Sequence, residues 1–598
     1  MIPYTPPVAD IRFTLDHAAD LGEIAALAGY ESADAETVGA ILDEAAKLAR
    51  DVLAPINDSG DREGSRLENG LVHTPKGFKE AYGAYVEGGW NGLGFDEAHG
   101  GQGLPAVVAL AVSEMWASAN MSFGLCPMLT VGAVEALTIH GTKEQQALYL
   151  PKLVSGEWTG TMNLTEPQAG SDVGALRSRA IPEGDHYRIT GQKIFITYGD
   201  HDFTDNILHL VLARLPGAPA GTKGISLFLV PKFLVNADGS LGERNDVRTV
   251  SLEHKMGIHA SPTAVLSYGD NGGAIGYLIG GENQGMECMF TMMNNARLNV
   301  GMQGVAIAER AYQQARDYAH SRVQGRTLTG PRGETALPIV YHPDVKRMLL
   351  EMKARIQASR ALCYFTAAHI DRAHRAEDPA ARAAAQAVVD LLIPMVKAWS
   401  TDIGVETSST AVQVHGGMGF IEETGVAQHF RDARIAPIYE GTNGIQALDL
   451  IGRKVARDRG EAARTFLGTL RAFDAELAQE SGDDIATLRA ALSRALDAVE
   501  AATSYIVTTM AQSPARAAAG SVPYLKLFAV TTGGYLLAKQ AVAANRLLRS
   551  GGGGDASFLE SRLILARFFA EHDLAQAPAL LPAIQGGATV EGFDPDRF

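Results

Sequence analysis

One carboxylate stands out for the company it keeps. In Arg434-Ile435-Ala436-Pro437-Ile438-Tyr439-Glu440-Gly441-Thr442-Asn443, Glu440 follows apolar and aromatic residues, surroundings that raise a carboxyl pKa toward the range of a general base. Gly441 then allows close backbone approach to a ligand. The competing reading is a Glu at a helix N-terminus, where negative charge is favoured whatever the chemistry. Other reactive side chains are less promising. Cys126, Cys288 and Cys363 lie far apart with no CxxC spacing, so they signal neither a disulfide framework nor a zinc site. His415, in a glycine turn, reads as structural. Met286, Met289, Met292 and Met293 recur at helical intervals and read as adaptable core packing.

Further polar segments accompany Glu440. The loop Thr161-Met162-Asn163-Leu164-Thr165-Glu166-Pro167-Gln168-Ala169-Gly170-Ser171-Asp172 offers hydroxyls and backbone N–H groups at a glycine-containing turn, donors that bind a ligand without adding charge. Gly191-Gln192-Lys193-Ile194-Phe195-Ile196-Thr197 puts a ring and a hydroxyl on one strand-like run. Arg297, in Met293-Asn294-Asn295-Ala296-Arg297, and Arg322, in Ser321-Arg322-Val323-Gln324-Gly325-Arg326, carry donor forks that match phosphate oxygens. Gln413-Val414-His415-Gly416-Gly417-Met418-Gly419-Phe420 supplies glycines suited to backbone approach to a phosphate. In this order, ending on Glu440, the segments closely resemble the acyl-CoA dehydrogenase family.

The resemblance implies an FAD cofactor and an acyl-CoA substrate. It assigns Met162, Leu164, Thr165, Ser171, Phe195, Thr197, Arg322, Gln413, Gly417 and Thr442 to the cofactor, with Thr197 near the flavin N5. It assigns Ser171, Asn294, Arg297, Tyr439 and Gly441 to the substrate. Phe195 stands where the family commonly has Trp, Asn294 where it has Asp, and Gln324 where it has Phe. Arg322, Gln413 and Gly417 match positions that reach the FAD of a neighbouring subunit, which implies a homodimer or a dimer of dimers. Glu440 would remove the α proton of the thioester while hydride leaves the β carbon, giving a trans-2-enoyl-CoA. The backbone N–H of Glu440 and a ribityl hydroxyl of FAD would polarise the carbonyl. Some members place the base just before the acyl-CoA arginine. Here that residue is Ala296, which cannot take a proton.

The Pro3-Tyr4 opening, an insertion from Thr327 to Tyr341 and a long helical tail are similar to the long subgroup that includes 3-methylmercaptopropionyl-CoA dehydrogenase. This implies that thioester, or a related short or medium acyl-CoA, as substrate, with electron-transferring flavoprotein as electron acceptor. Medium or long straight chains stay open. So does acyl-CoA oxidase, which shares the base and an added C-terminal helical domain but passes electrons to O₂. A DNA-binding flavoprotein relative would need a basic tail, and residues 451–598 hold 16 Lys+Arg against 16 Asp+Glu.

These residues need a scaffold. The chain has 598 residues, more than one ordinary core accommodates. A net charge of −16 argues against a nucleic-acid surface and for a soluble acidic enzyme, and the three scattered cysteines fit a reducing cytoplasm. The N-terminus lacks the basic and apolar regions of a leader, and no uninterrupted apolar run reaches the roughly 20 residues of a membrane span. Apolar spacing reads as helical from Thr37 to about 158, strand-like from 159, and helical again from Gly285. The turn Gly100-Gly101-Gln102-Gly103-Leu104-Pro105-Ala106 satisfies a dinucleotide fingerprint by spacing, but no βαβ unit surrounds it. The expected order is an N-terminal extension (1–40), a helical domain (41–158), a small barrel-like β domain (159–275), a helical bundle with Glu440 (276–456) and a C-terminal helical domain (457–598). Asp483 and Asp484 are expected to cap a tail helix striped by Ile485, Leu488, Leu492, Leu496 and Val499. A break is expected at Gly551–Gly554.

Overall fold

The computed structural model describes residues 3–326, 336–551 and 555–597. Most of the insertion expected from Thr327, and Gly552–Gly554 of the expected break, lie outside them. The elements used below are helices α1 (Val8–His17), α2 (Ala106–Ala119) and α3 (Met121–His140), then strands β1 (Thr159–Asn163), β2 (Arg179–Glu183), β3 (His186–Thr197), β4 (Ile207–Arg214), β5 (Ile225–Pro231), β6 (Val247–Leu252), β7 (Thr263–Tyr268) and β8 (Ala274–Ile279). Helices α4 (Gly285–Ser321), α5 (Pro343–Arg375), α6 (Pro379–His415), α7 (Val426–Ala433) and α8 (Asn443–Asp449) follow, and the tail contributes α9 (Asp483–Gln512), α10 (Ser521–Ser550) and α11 (Ala556–His572). The architecture is mainly helical with a small β domain, as the sequence leads one to expect. The expected domain edge at 275 falls inside β8, which runs on to Ile279.

The chain divides into two compact units. The first gathers Met1–Pro6, Glu44–Leu104 and Met115–Asn299; the second gathers Pro7–Asp43, Pro105–Glu114 and Val300–Phe598. In the first, the sheet runs β6-β7-β3-β8-β5-β4-β1, with β2 pairing both β3 and β4. β4 and β5 are buried almost from end to end, which explains their continuous apolar sequences. Ile189, Ile196, Val211, Phe228, Val230, Leu266 and Tyr268 share the core of this unit. β3 is one twelve-residue strand. It pairs β8 through residues 187–189 and β7 through residues 191–197. Gly191, at φ 145°, lies against Ser178: an added Cβ would come within 2.4 Å of its Oγ and 2.9 Å of its Cα.

The second unit packs long helices. Inside it runs a chain of buried charges. Arg360 of α5 meets Glu114 of α2 (2.6 Å) and Glu309 of α4 (3.1 Å); Lys353 of α5 meets Glu309 (3.1 Å) and Asp10 of α1 (2.8 Å); Arg562 of α11 meets Asp10 (2.6 Å). Three cations face three carboxylates, so the desolvated charges compensate one another. In the tail, the stripe from Ile485 to Val499 is buried as its spacing predicts. The expected Asp cap is not formed: α9 begins at Asp483 after Gly482 with no side-chain cap, so both aspartates lie in the first turn and act on the helix dipole. Helix α3, and α6 with the turn that follows it, are long and apolar enough to cross a membrane, yet 72% of the α3 window is buried inside the protein, as in a core helix.

Candidate active site

In the first unit, the loop of Thr165 is fastened to β3 from beneath. Inward alternation along β3 would place an apolar residue at position 193; the sequence places Lys193 there, fully buried. Its ammonium donates to the Leu164 carbonyl (3.0 Å) and to Glu166 Oε1 (2.8 Å). Glu166 also accepts from Arg177 N–H (2.7 Å), Ser178 N–H (3.0 Å), Ser178 Oγ (2.6 Å) and Gln168 Nε2 (2.7 Å). Burial alone would raise the Glu166 pKa, but the Lys193 charge and these hydrogen bonds outweigh it and hold it at about 2. Burial pulls Lys193 down to about 8 against the attraction of Glu166. Ile194 N–H donates to the Thr165 carbonyl (2.9 Å), so loop and strand are joined both by the Lys193 side chain and by the backbone of the next residue.

A bulge then turns the next ring outward. Ile196 pairs with Ala264 and Lys193 with Leu266, leaving Ile194 and Phe195 opposite Val265 alone. Phe195 takes φ 60°, a left-handed conformation uncommon for such a residue, and is 58% exposed. On β1, Thr161 and Asn163 face inward to His209 (2.7 Å) and Tyr268 (2.9 Å), while Met162 between them keeps part of its surface accessible. Met162, Leu164, Thr165, Phe195 and Thr197 are thus all partly or wholly accessible, as is Ser171 in the loop beyond. Among the described residues, neither the Thr165 nor the Thr197 hydroxyl is spent on an internal hydrogen bond.

The same unit contains the start of α4. Asn294 is exposed, whereas Ala296 and Arg297 are buried. Asn295 Nδ2 donates to Glu135 of α3 (2.7 Å), whose carboxyl burial pushes up to about 8. Met289 and Met292 are fully buried, in keeping with core packing.

In the second unit, Glu440 and Gly441 are consecutive left-handed residues, at φ 55° and 82°. Glu440 occupies a conformation that costs a non-glycine residue on the order of 1–3 kcal/mol unless its surroundings enforce it. Several groups hold the loop. Asn443 N–H donates to the Pro437 carbonyl (3.0 Å), Gln446 Nε2 reaches the Glu440 and Gly441 carbonyls (both 3.3 Å), and Tyr439 Oη donates to Gln303 of α4. Lys397 of α6, fully buried, donates to the Gly441 carbonyl (2.7 Å) and to Asn443 Oδ1 (3.0 Å). Thr442 Oγ1 accepts from Ile445 N–H (3.2 Å) and caps α8. The apolar cover expected from Ile438 is not there, because its side chain is 48% exposed. Arg322, Gln413 and Gly417 are exposed near the ends of α4 and α6. His415 is structural: it hydrogen-bonds the Ala411 carbonyl (2.8 Å) and stacks on Tyr318.

The residues sequence reasoning passed over are Lys193, Glu166 and Lys397. Both lysines carried a signal, a charge at an inward register of β3 and a charge inside the apolar run Leu391–Trp399 of α6.

Four families cover nearly the whole chain in order. They are "Acyl-CoA dehydrogenase, N-terminal domain" at residues 35–157, "middle domain" at 161–270, "C-terminal domain" at 283–456, and "Acetyl-CoA dehydrogenase C-terminal like" at 466–590. The chain belongs to the acyl-CoA dehydrogenase family. It is 49% identical over 583 residues to 3-methylmercaptopropionyl-CoA dehydrogenase of Ruegeria pomeroyi, covering 96% of this chain and 97% of that one. A butyryl-CoA dehydrogenase of Syntrophomonas wolfei is 37% identical over 579 residues, covering 95% and 94%. The fold matches that of an acyl-CoA dehydrogenase from Bacillus anthracis solved with FAD, at TM-score 0.74 and 22% identity, over 94% of this chain and 90% of that one. The enzyme is therefore an FAD-dependent acyl-CoA dehydrogenase of the long subgroup, as the motifs implied.

The residues present fit the flavin. An exposed ring and two unspent hydroxyls lie on one stretch of loop and strand, fixed from below by an ion pair whose charges cancel. A Cβ added at Gly170 or at Gly417 would meet nothing within 4 Å, so the backbone is open at both turns.

Proposed function

We propose that this acyl-CoA dehydrogenase oxidises 3-methylmercaptopropionyl-CoA or a closely related short or medium acyl-CoA, with Glu440 as the base. The observation that carries the base is the Glu440–Gly441 pair, two left-handed residues held by Lys397, Asn443 and Gln446. The 49% identity to the Ruegeria enzyme over 96% of this chain supports the substrate.

In this reading, the Glu440 carboxylate takes the α proton. An α C–H of a thioester is too weakly acidic for a carboxylate alone, so its carbonyl must be polarised by fixed donors, and the Glu440 backbone N–H supplies one. Asn294, Arg297, Ser171, Tyr439 and Gly441 hold the substrate, removing much of the orientational cost. Met162, Leu164, Thr165, Ser171, Phe195, Thr197, Arg322, Gln413, Gly417 and Thr442 hold FAD, Arg322, Gln413 and Gly417 doing so from a neighbouring subunit of a homodimer or dimer of dimers. Bound FAD would supply the acceptor for the β hydride. Electron-transferring flavoprotein is the proposed acceptor beyond it, and the cytoplasm the proposed compartment.

Two measurements test this. Glu440→Gln should retain FAD yet leave its absorbance unbleached when acyl-CoA is added anaerobically; full bleaching sinks the base assignment. With the unmodified enzyme, 3-methylmercaptopropionyl-CoA should bleach the flavin faster than butyryl-, octanoyl- or palmitoyl-CoA. A place among the slowest would remove the substrate and leave the family untouched.

A further inference from the structure

We infer that Lys397 is the positioning residue for Glu440: a fully buried ammonium that fixes the left-handed loop of the base through the Gly441 carbonyl. The inference rests on Glu440 being the base.

The geometry has three parts. Lys397 lies inside the apolar run Leu391-Leu392-Ile393-Pro394-Met395-Val396-Lys397-Ala398-Trp399 and is 0% exposed. Burying an ammonium is among the costliest desolvations a fold can make, and a neutral donor would hold a carbonyl without it. The ammonium is spent on the residue that follows the base: 2.7 Å to the Gly441 carbonyl, with a second bond to Asn443 Oδ1 at 3.0 Å. Asn443 in turn ties the loop to one turn of α6. Its Nδ2 donates to the Ala398 carbonyl (3.0 Å), Thr401 Oγ1 (3.1 Å) and Asp402 Oδ1 (2.8 Å).

The carbonyl that Lys397 holds belongs to the second of the two left-handed residues. Releasing it lets Glu440 relax toward an ordinary backbone conformation, which would swing its carboxylate and its N–H together. Those are the two groups assigned to the α proton and the thioester carbonyl. Loss of the clamp should therefore appear in the chemical step and leave substrate binding nearly intact, since base position matters most where the proton moves.

The test uses full-length holoenzyme. Lys397→Ala should keep its FAD and lose about a hundredfold in kcat, the scale of roughly 1 Å of misplacement, with KM changed less than about threefold. Substrate deuterated at the α carbon should show a larger isotope effect on flavin reduction than in the parent enzyme. The side chain removed beyond Cβ is the size of n-propylammonium, so that ion should restore activity and neutral 1-propanol should not. Unchanged kcat, a loss confined to KM, or equal rescue by both compounds would overturn the inference. If Lys397→Ala does not fold, Asn443→Ala removes the second leg and should lower kcat about tenfold at constant KM; unchanged kcat there overturns it as well. Glu440→Gln is the control. If that variant reduces flavin normally, the base assignment has failed; if it is inert while Lys397→Ala is fully active, only the role of Lys397 has failed.

Discussion

Two buried lysines hold two functional loops, and they do so differently. Lys193 grips the carbonyl just before Thr165 and shares its charge with Glu166 at 2.8 Å, a carboxylate that four further donors also satisfy. Lys397 grips the carbonyl just after Glu440 and meets a carboxamide oxygen, with Asp402 reached through Asn443. The first clamp presents no net charge to the strand that carries Phe195 and Thr197. That suits a flat, largely uncharged ring system. The second brings a cation near the loop of the proposed base. The Thr165 loop is fixed by a lysine in an ion pair, whereas the Gly441 loop is fixed by a lysine bonded to a carbonyl and a carboxamide oxygen.

Breaking the first clamp should cost most. Glu166→Gln leaves the Lys193 ammonium buried without its counter-charge, for which about 3–5 kcal/mol is the usual loss. Lys193→Met should cost less, because Glu166 keeps its donors from Arg177, Ser178 and Gln168. Chemical denaturation of the holoenzyme, with flavin release as a second probe, measures both; the reverse order would contradict the asymmetry drawn between the partners.

The glycines rank next. An alanine at Gly191 meets the Ser178 Cα at 2.9 Å, and Ser178 is itself a donor to Glu166. An alanine at Gly441 meets the end of the Gln446 side chain at 2.7 Å, which can move aside. Gly191→Ala should therefore destabilise by about 2–3 kcal/mol, as overpacked sites do, and Gly441→Ala by about 1–2 kcal/mol from its positive φ. For Gly441→Ala the larger effect should be on turnover. Unfolding midpoints of the two variants, set beside their kcat values, would show whether stability and chemistry separate in this way.

The smallest expected effect is a shift on the acid side. Glu166 has a folded pKa of about 2, below its ordinary 4.5, so its contribution to stability is complete above 4.5 and fades as pH falls toward 2. Without Lys193 the carboxyl titrates closer to its ordinary value. Lys193→Met should then release flavin on acidification at a higher pH than the parent; an unshifted midpoint would show that Lys193 does not set this carboxyl.

Much of this was legible in the chain and some was not. The order of helix and strand followed from apolar spacing, and the tail stripe from Ile485 to Val499 was buried as read. The loop at Thr165, the strand at Thr197 and Glu440 could be named from residue type and order. What spacing could not show was backbone sign. Nothing in Ile194-Phe195-Ile196 announces a bulge with φ 60°, and alternation alone would give Phe195 no reason to be 58% exposed. Glu440 is similar: its left-handed backbone lies in a loop held by partners such as Lys397, 43 residues away in sequence, which bonds the Gly441 carbonyl. Capping also misled: Asp483 is a good cap by type, yet the helix takes it into its first turn.

The buried charges of the second unit carry a consequence for how the chain is made. Asp10 finds Arg562 only once the chain has grown 552 positions beyond it, and until then it has Lys353 as a partner at best. Contacts of such separation pay their closure entropy late and slow the final approach to the native state. A nascent or C-terminally nicked chain would carry an acidic group meant for burial with half its neutralisation missing.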